Sequence, residues 1–320
     1  MRNLWILALS GAIAGCNNDK PGASPPPQPS PPATSVSTVT APPVASPIAS
    51  AAPSATPPAP ISSAALPPIN TPATVTEKRP YVVFLHGLGA SGKILTDNLG
   101  IASLAAEHKF SWSAPDGDLS SKKQRFWNAS KACCNLDGTQ VDHVARFRSL
   151  IAAAATNPKI DSKRIYVVGW SNGGFMAHRL ACEVAGIAGI VSIAGAGPAE
   201  GEACTPPGPV AVLQIHGDAD DTIKYAGGNA LGRTTLPRHP SALETVEGWA
   251  ARDGCKGKPV GAGTLDLDDK LDGAETAILR FPGCTRPVEL WTVHGGGHMI
   301  GMGHRAQELF VGFLEKTSLP

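Results

Sequence analysis

The chain has 320 residues, 27 Lys and Arg against 26 Asp and Glu, and a formal net charge of +1. It lacks both the basic excess and the Lys/Arg block needed to neutralise a phosphate backbone, so no nucleic-acid partner is expected. A hydrophobic fraction of 42% is enough for one sizeable core, while thirty prolines point to long stretches outside it.

Arg2, the apolar run from Leu4 to Ile13 and the small residues before Cys16 read as a secretory signal over residues 1–15. Ile13-Ala14-Gly15-Cys16 has the form of a bacterial lipobox, in which the Cys16 thiol is lipidated and becomes residue one after cleavage. An ordinary signal peptide with an incidental cysteine is the plainer alternative. The expected location is therefore secreted and lipid-anchored, with the membrane as a partner and the body facing periplasm or cell surface. Residues 16–76 read as a disordered linker: no charge occurs from Pro21 to Thr76, and eighteen of the thirty prolines lie between Pro21 and Pro80. Extended at about 3.1 Å per residue, such a segment spans up to ~170 Å.

Residues 77–320 alternate strand-like and helix-like runs. Tyr81 to Leu85 reads as a strand, Ile94 to His108 as a helix, Val144 to Ala154 as a helix capped by Asp142, Arg164 to Val168 as a strand, and Phe175 to Val184 as a helix. Strands follow at Ile187 to Ile193 and Val210 to Ile215, then a helix at Ala242 to Ala251. Strands at Thr276 to Phe281 and Val288 to Val293 and a helix from His304 to Leu314 close the chain. This order implies βα units on a mostly parallel sheet, with ligand chemistry at the carboxyl ends of the strands.

Chemistry-bearing motifs sit at those ends. Gly169-Trp170-Ser171-Asn172-Gly173-Gly174 follows a β-branched run and precedes a helix, the context of a nucleophile elbow with Ser171 at its tip. A serine hydroxyl needs a base, an acid to orient that base, and oxyanion donors. His294 and His298 compete as base, with His298 favoured because three glycines free its backbone and His294 still abuts a strand. Asp218, Asp220 and Asp221 share one loop and compete as acid. The oxyanion donors expected of this fold are the backbone amides of Asn172 and Leu88. Trp127 and Trp170, with His294, are candidates for lining a substrate pocket. Gly87 to Lys93 also fits GxxxxGK, but Ile94 stands where a phosphate-binding loop needs Ser or Thr, and Lys93 reads as a solvated charge. A metal site built from His294, His298 and His304 lacks helical spacing and a completing carboxylate motif, so no metal or organic cofactor is expected.

Without Cys16, six cysteines remain: Cys133, Cys134, Cys182, Cys204, Cys255 and Cys284. An even number in an exported chain favours disulfides. Adjacent Cα atoms about 3.8 Å apart fall short of the usual disulfide span, so Cys133 and Cys134 are expected to bond different partners. Cys255 with Cys284 is the preferred pair.

His86-Gly87-Leu88-Gly89-Ala90-Ser91-Gly92, the GWSNGG turn, His216-Gly217-Asp218-Ala219-Asp220 and Gly295-Gly296-Gly297-His298 resemble the extracellular polyhydroxybutyrate depolymerase and feruloyl esterase family of α/β-hydrolases. The resemblance covers nearly all of 77–320 and extends to Trp127, Cys133-Cys134 and Val141-Asp142. It implies an α/β-hydrolase fold, Asp220 as the acid, His298 as the base, and hydrolysis of feruloyl, acetyl or hydroxyalkanoate esters. Two departures stand out. Few residues outside the proline-rich stretch precede Tyr81, so the first sheet edge is expected to be truncated. Met299-Ile300-Gly301-Met302-Gly303 replaces the family's tryptophan-proline stretch. The rival readings are a serine peptidase of prolyl-oligopeptidase type, lacking its propeller domain, and a non-catalytic binding protein on a hydrolase body.

Overall fold

The computed structural model describes residues 66–73 and 77–320. Its elements run β1 (Arg79–Leu85), α1 (Gly92–Asn98), α2 (Ile101–Glu107), β2 (Ser111–Ser113), β3 (Asp118–Leu119), β4 (Arg125–Phe126), α3 (His143–Thr156) and β5 (Ile160–Trp170). They continue with α4 (Asn172–Glu183), β6 (Gly189–Ile193), β7 (Ala211–Gly217), α5 (Ala242–Arg252), β8 (Val260–Leu265), β9 (Thr276–Arg280), β10 (Val288–Val293) and α6 (His304–Glu315). Eight strands form one sheet in the order β2-β1-β5-β6-β7-β10-β9-β8, and β3 pairs with β4 apart from it. From β2 to β10 every neighbour is parallel, whereas β9 and β8 are antiparallel.

Strand alternation builds a core on both faces. Tyr81, Val83 and Leu85 of β1 join Ile165 and Val167 of β5 under α3, α4 and α5, with Phe147, Phe175 and Trp249 as bulky partners. Val82 and Phe84 point the other way with Tyr166 and Val168, beneath α1, α2 and α6, where Phe310 and Phe313 close the layer. Because side chains repeat every two residues, a one-residue slip would exchange these sets, so the register is strongly fixed. Burying each such side chain contributes about 1.5–3 kcal/mol.

Several expectations are corrected. The helix expected from Ile94 to His108 is two helices, because Gly100 takes a left-handed conformation at φ 55 and breaks the run before α2. Short Ser-Trp-Ser forms β2, and the largely exposed, glycine-bearing Val260–Leu265 forms the far edge β8; neither carries an alternating apolar signal. At the β2 edge, the described residues before β1 add a bridge from Asn70 to Trp112. The boundary expected at residue 77 is too late, since residues 66–73 lie against the folded body. Asn70 and Trp112 exchange backbone hydrogen bonds, and the Ser113 hydroxyl donates to the Pro68 carbonyl at 2.6 Å. The signal peptide, Cys16 and the rest of the linker lie outside the described residues.

The disulfides are Cys133–Cys134, Cys182–Cys204 and Cys255–Cys284. The expectation of separate partners for Cys133 and Cys134 is overturned. It assumed a trans peptide, and the peptide between them is cis, with the Cα atoms 3.1 Å apart. Cys182–Cys204 holds the end of α4 to the loop after β6, and Cys255–Cys284 holds the end of α5 to the β9–β10 connection.

Candidate active site

Strand β5 ends at Trp170 and α4 begins at Asn172, so one residue, Ser171, makes the turn, at φ 55 and ψ −118. That conformation costs a non-glycine residue about 1–3 kcal/mol and persists only because its surroundings impose it. A β-carbon at Gly169 would strike the Gly173 carbonyl, and one at Gly173 would strike the carbonyl of Leu85 at the end of β1. The Ser171 amide donates to Ile193 O at 2.7 Å, pinning the turn to β6.

Strands β7 and β10 are parallel neighbours with Gly217 opposite Val293, so the loops that leave them start side by side. Asp218 N donates to Val293 O and Ala219 N to Gly296 O, and a β-carbon at Gly217 would collide with Gly296. This contact brings together residues 78 positions apart: His298 Nδ1 lies 2.8 Å from Asp220 Oδ2. On its other side, His298 Nε2 lies 3.0 Å from Ser171 Oγ. Asp220 Oδ1 accepts the Thr222 and Ile223 amides, each at 2.9 Å. Burial favours a neutral carboxyl at Asp220, but hydrogen bonds from His216 and His298 prevail and hold its pKa well below the usual carboxylate range.

The three acidic candidates separate by geometry. Asp218 accepts from His294 Nδ1 at 2.8 Å and from the Gly295 amide, and Asp221 accepts from the Thr222 hydroxyl. Only Asp220 meets His298. Beside Ser171 is a cavity of about 470 Å³ whose walls include Leu88, Ile94, Leu99, Trp170, Ile300 and Met302. Lys270 also lines it, its Nζ donating to Met299 O at 3.0 Å. A larger cavity of about 600 Å³, lined by Ser130, Lys131, Arg179 and Glu202 among others, includes neither Ser171 nor His298.

Two proposed pocket residues are corrected. Trp127 is fully buried, packed edge-on against His143 and at tilted angles against His86 and Phe147, with its indole N–H donating to His86 O at 2.9 Å. It anchors the loop instead, because the Asn172 side chain bonds the Trp127 amide and carbonyl at 2.7 and 3.0 Å. His294 is drawn to Asp218 with its side chain 60% exposed, and it does not line the cavity. Trp170 does line it, donating to His298 O at 3.3 Å.

On the β1 side, Gly87 packs against Ser171, where a β-carbon would lie 3.4 Å from that of the serine. The Gly89 amide is taken by Arg125 O and the Ala90 amide by Gly87 O; the Leu88 amide makes no backbone hydrogen bond among the described residues. Lys93, at the other end of this loop, is exposed and paired with Asp97 one helical turn on. Sequence reasoning missed the aliphatic cavity wall, which comes from three separate segments, and the buried groups behind Asp220. Of these, only His216 carried a signal, standing in the HGDAD stretch.

A family model described as Phospholipase/Carboxylesterase matches residues 134–247, a range that holds Ser171 and Asp220 but stops before His298. The chain is 28% identical over 238 residues to the protein named "Putative esterase NocK" of Nocardia uniformis subsp. tsuyamanensis, covering 69% of this chain and 65% of that protein. It is 28% identical over 206 residues to feruloyl esterase B of Piromyces equi, covering 61% of this chain and 34% of that one. The chain thus spans less than two thirds of the length of either relative. Among solved structures, acetyl xylan esterase from Aspergillus awamori superposes with a TM-score of 0.54 at 14% identity, over 77% of this chain and 93% of that one. The fold is the α/β-hydrolase fold, with a mostly parallel central sheet flanked by helices.

Proposed function

We propose that the protein is a serine esterase that hydrolyses carboxylic esters through an acyl-Ser171 intermediate. The observation that carries this reading is the continuous line from Ser171 Oγ through both ring nitrogens of His298 to Asp220, 3.0 and 2.8 Å long, starting at a strained elbow. His298 Nε2 takes the hydroxyl proton as Oγ attacks the ester carbonyl, and Asp220 stabilises the imidazolium that forms. The Leu88 and Asn172 amides, with the N-terminus of α4 behind them, receive the oxyanion. The proton then passes to the leaving alcohol, and water repeats the sequence on the acyl-enzyme.

The aliphatic cavity wall supports an ester with an apolar acyl group, and Lys270 supplies a cation at its edge. Hydroxyalkanoate, feruloyl and acetyl esters are the classes that the motif resemblance supports, and of these the feruloyl class also has the support of a relative named feruloyl esterase B. Secretion and a lipid anchor at Cys16 complete the reading from the sequence. Turnover of hydroxybutyrate oligomers, methyl ferulate, acetylated xylan and p-nitrophenyl alkanoates, beside peptide amides, is the test. Ester hydrolysis that Ser171→Ala abolishes supports the proposal, and amide cleavage at comparable efficiency contradicts it.

A further inference from the structure

Behind Asp220 a line of polar side chains crosses the core from α5 to β7. Trp249 Nε1 lies 2.9 Å from His178 Nδ1, and His178 Nε2 lies 3.0 Å from Gln214 Oε1. Gln214 Nε2 lies 3.1 Å from His216 Nδ1 and 2.9 Å from Gly195 O. His216 Nε2 is 2.7 Å from Ile223 O and 3.3 Å from Asp220 Oδ2. Trp249, His178, Gln214 and His216 are each at most 1% exposed.

The direction of every proton along this line follows from its far end. An indole nitrogen can only donate, so His178 Nδ1 accepts and its proton sits on Nε2. That N–H requires an oxygen opposite, which fixes Gln214 Oε1 toward His178 and the amide NH2 toward His216, an orientation that Gly195 O also requires. His216 Nδ1 must then accept, and its proton is on Nε2, aimed at Ile223 O and Asp220 Oδ2. A second proton on Nδ1 would face the Gln214 NH2 donor. Burial acts in the same sense at His178, pushing its pKa down to about 4.

We propose that this line is a positioning device: the Trp249 N–H sets, through His178 and Gln214, the tautomer of His216, and His216 pins the Asp220 loop in the geometry that meets His298. The inference rests on the esterase reading for its kinetic consequences, though not for its structural ones. His216 acts on both sides of that loop, bonding the Ile223 carbonyl while the Thr222 and Ile223 amides hold Asp220 Oδ1. It also offers Asp220 a donor without a positive charge, so the carboxylate charge stays directed at His298. Also near Asp220 and His216 are His239, whose pKa is lowered mainly by burial, and Tyr225, whose ring meets His216 edge-on and whose hydroxyl bonds Thr292. Replacing buried hydrogen-bonded partners by apolar groups of the same shape can be nearly neutral for stability, so a satisfied polar line here invites a reason beyond packing.

Three variants test it: Trp249→Phe, which keeps the ring and removes one N–H; His216→Phe; and His216→Gln, whose amide can still donate. Readouts are kcat and KM on a p-nitrophenyl ester, the downfield proton NMR signal of the hydrogen bond between His298 and Asp220, and 15N shifts that report the His216 tautomer. His216→Phe is expected to lower kcat by about tenfold or more with KM changed less than about twofold, and to shift or broaden the downfield signal. Trp249→Phe should show the same pattern more weakly, with a second His216 tautomer appearing, and His216→Gln should recover most of the loss. Folded Trp249→Phe with wild-type kcat, downfield signal and His216 tautomer would overturn the proposal, as would wild-type His216 carrying its proton on Nδ1. The NMR signals do not depend on turnover, so failure of the esterase reading, shown by an active Ser171→Ala, is distinguishable from failure of this one.

Discussion

Replacing Asp220 by Asn changes one atom and should disable the site without unfolding it. Four N–H groups converge on the carboxylate: the Thr222 and Ile223 amides at Oδ1, and His298 and His216 at Oδ2. An asparagine has one acceptor oxygen. If it serves the two amides, its NH2 faces the His298 and His216 donors. His298 then relieves the clash by moving its proton to Nε2, where it points at Ser171 Oγ and cannot take the hydroxyl proton. In the serine-protease template an equivalent tautomer reversal costs about 10⁴ in kcat, close to 5.5 kcal/mol of barrier. The assay is kcat and kcat/KM on p-nitrophenyl butyrate across pH, with thermal unfolding measured alongside. Asp218→Asn and Asp221→Asn serve as controls and should stay within about threefold of wild type. An Asp220→Asn enzyme within tenfold of wild type, or an Asp218→Asn enzyme that loses more, would refute the reasoning.

Asp253 is buried, its Oδ2 has no hydrogen-bond partner among the described residues, and burial raises its pKa to about 6. The folded state therefore holds this proton more tightly than the unfolded chain, whose Asp titrates near ~3.9. Stability from this group is greatest below that value and falls as pH rises to about 6, so Asp253→Asn should stabilise the protein above pH ~6 by at most about 3 kcal/mol, read from urea denaturation at two pH values. Replacing Cys182 and Cys204 together by Ser opens a loop of sequence separation 22 and should cost about 3 kcal/mol, measured by the same titration. Ala90→Trp narrows the cavity mouth and should raise KM for p-nitrophenyl octanoate several-fold while sparing the acetate. Lys93→Ala should leave activity unchanged, since its exposed ion pair with Asp97 contributes little.

What the sequence revealed, and what it hid, follows from the range over which each feature is specified. Buried parallel strands such as Tyr81–Leu85 announce themselves by continuous apolar runs, and GWSNGG states its own turn chemistry, so the sheet centre and Ser171 were legible. Three aspartates on one loop were not distinguishable by position. Their roles are set by Gly217 and Gly296 packing together, which turns Asp220 inward and leaves Asp218 to His294. Trp127 misled for a related reason: a tryptophan in a long loop looks like a pocket wall, yet Asn172, 45 residues away, clamps its backbone and holds the ring in the core. The break at Gly100 and the vicinal Cys133–Cys134 bond depend on backbone conformations that spacing alone does not encode.

Labelling of the folded protein with a fluorophosphonate, followed by mass-spectrometric mapping of the modified peptide, tests the central claim most directly. The account predicts stoichiometric, activity-abolishing modification at Ser171, with labelling slowed by orders of magnitude in His298→Ala. Modification of a different serine, or an unlabelled Ser171 in protein that still hydrolyses esters, would contradict it.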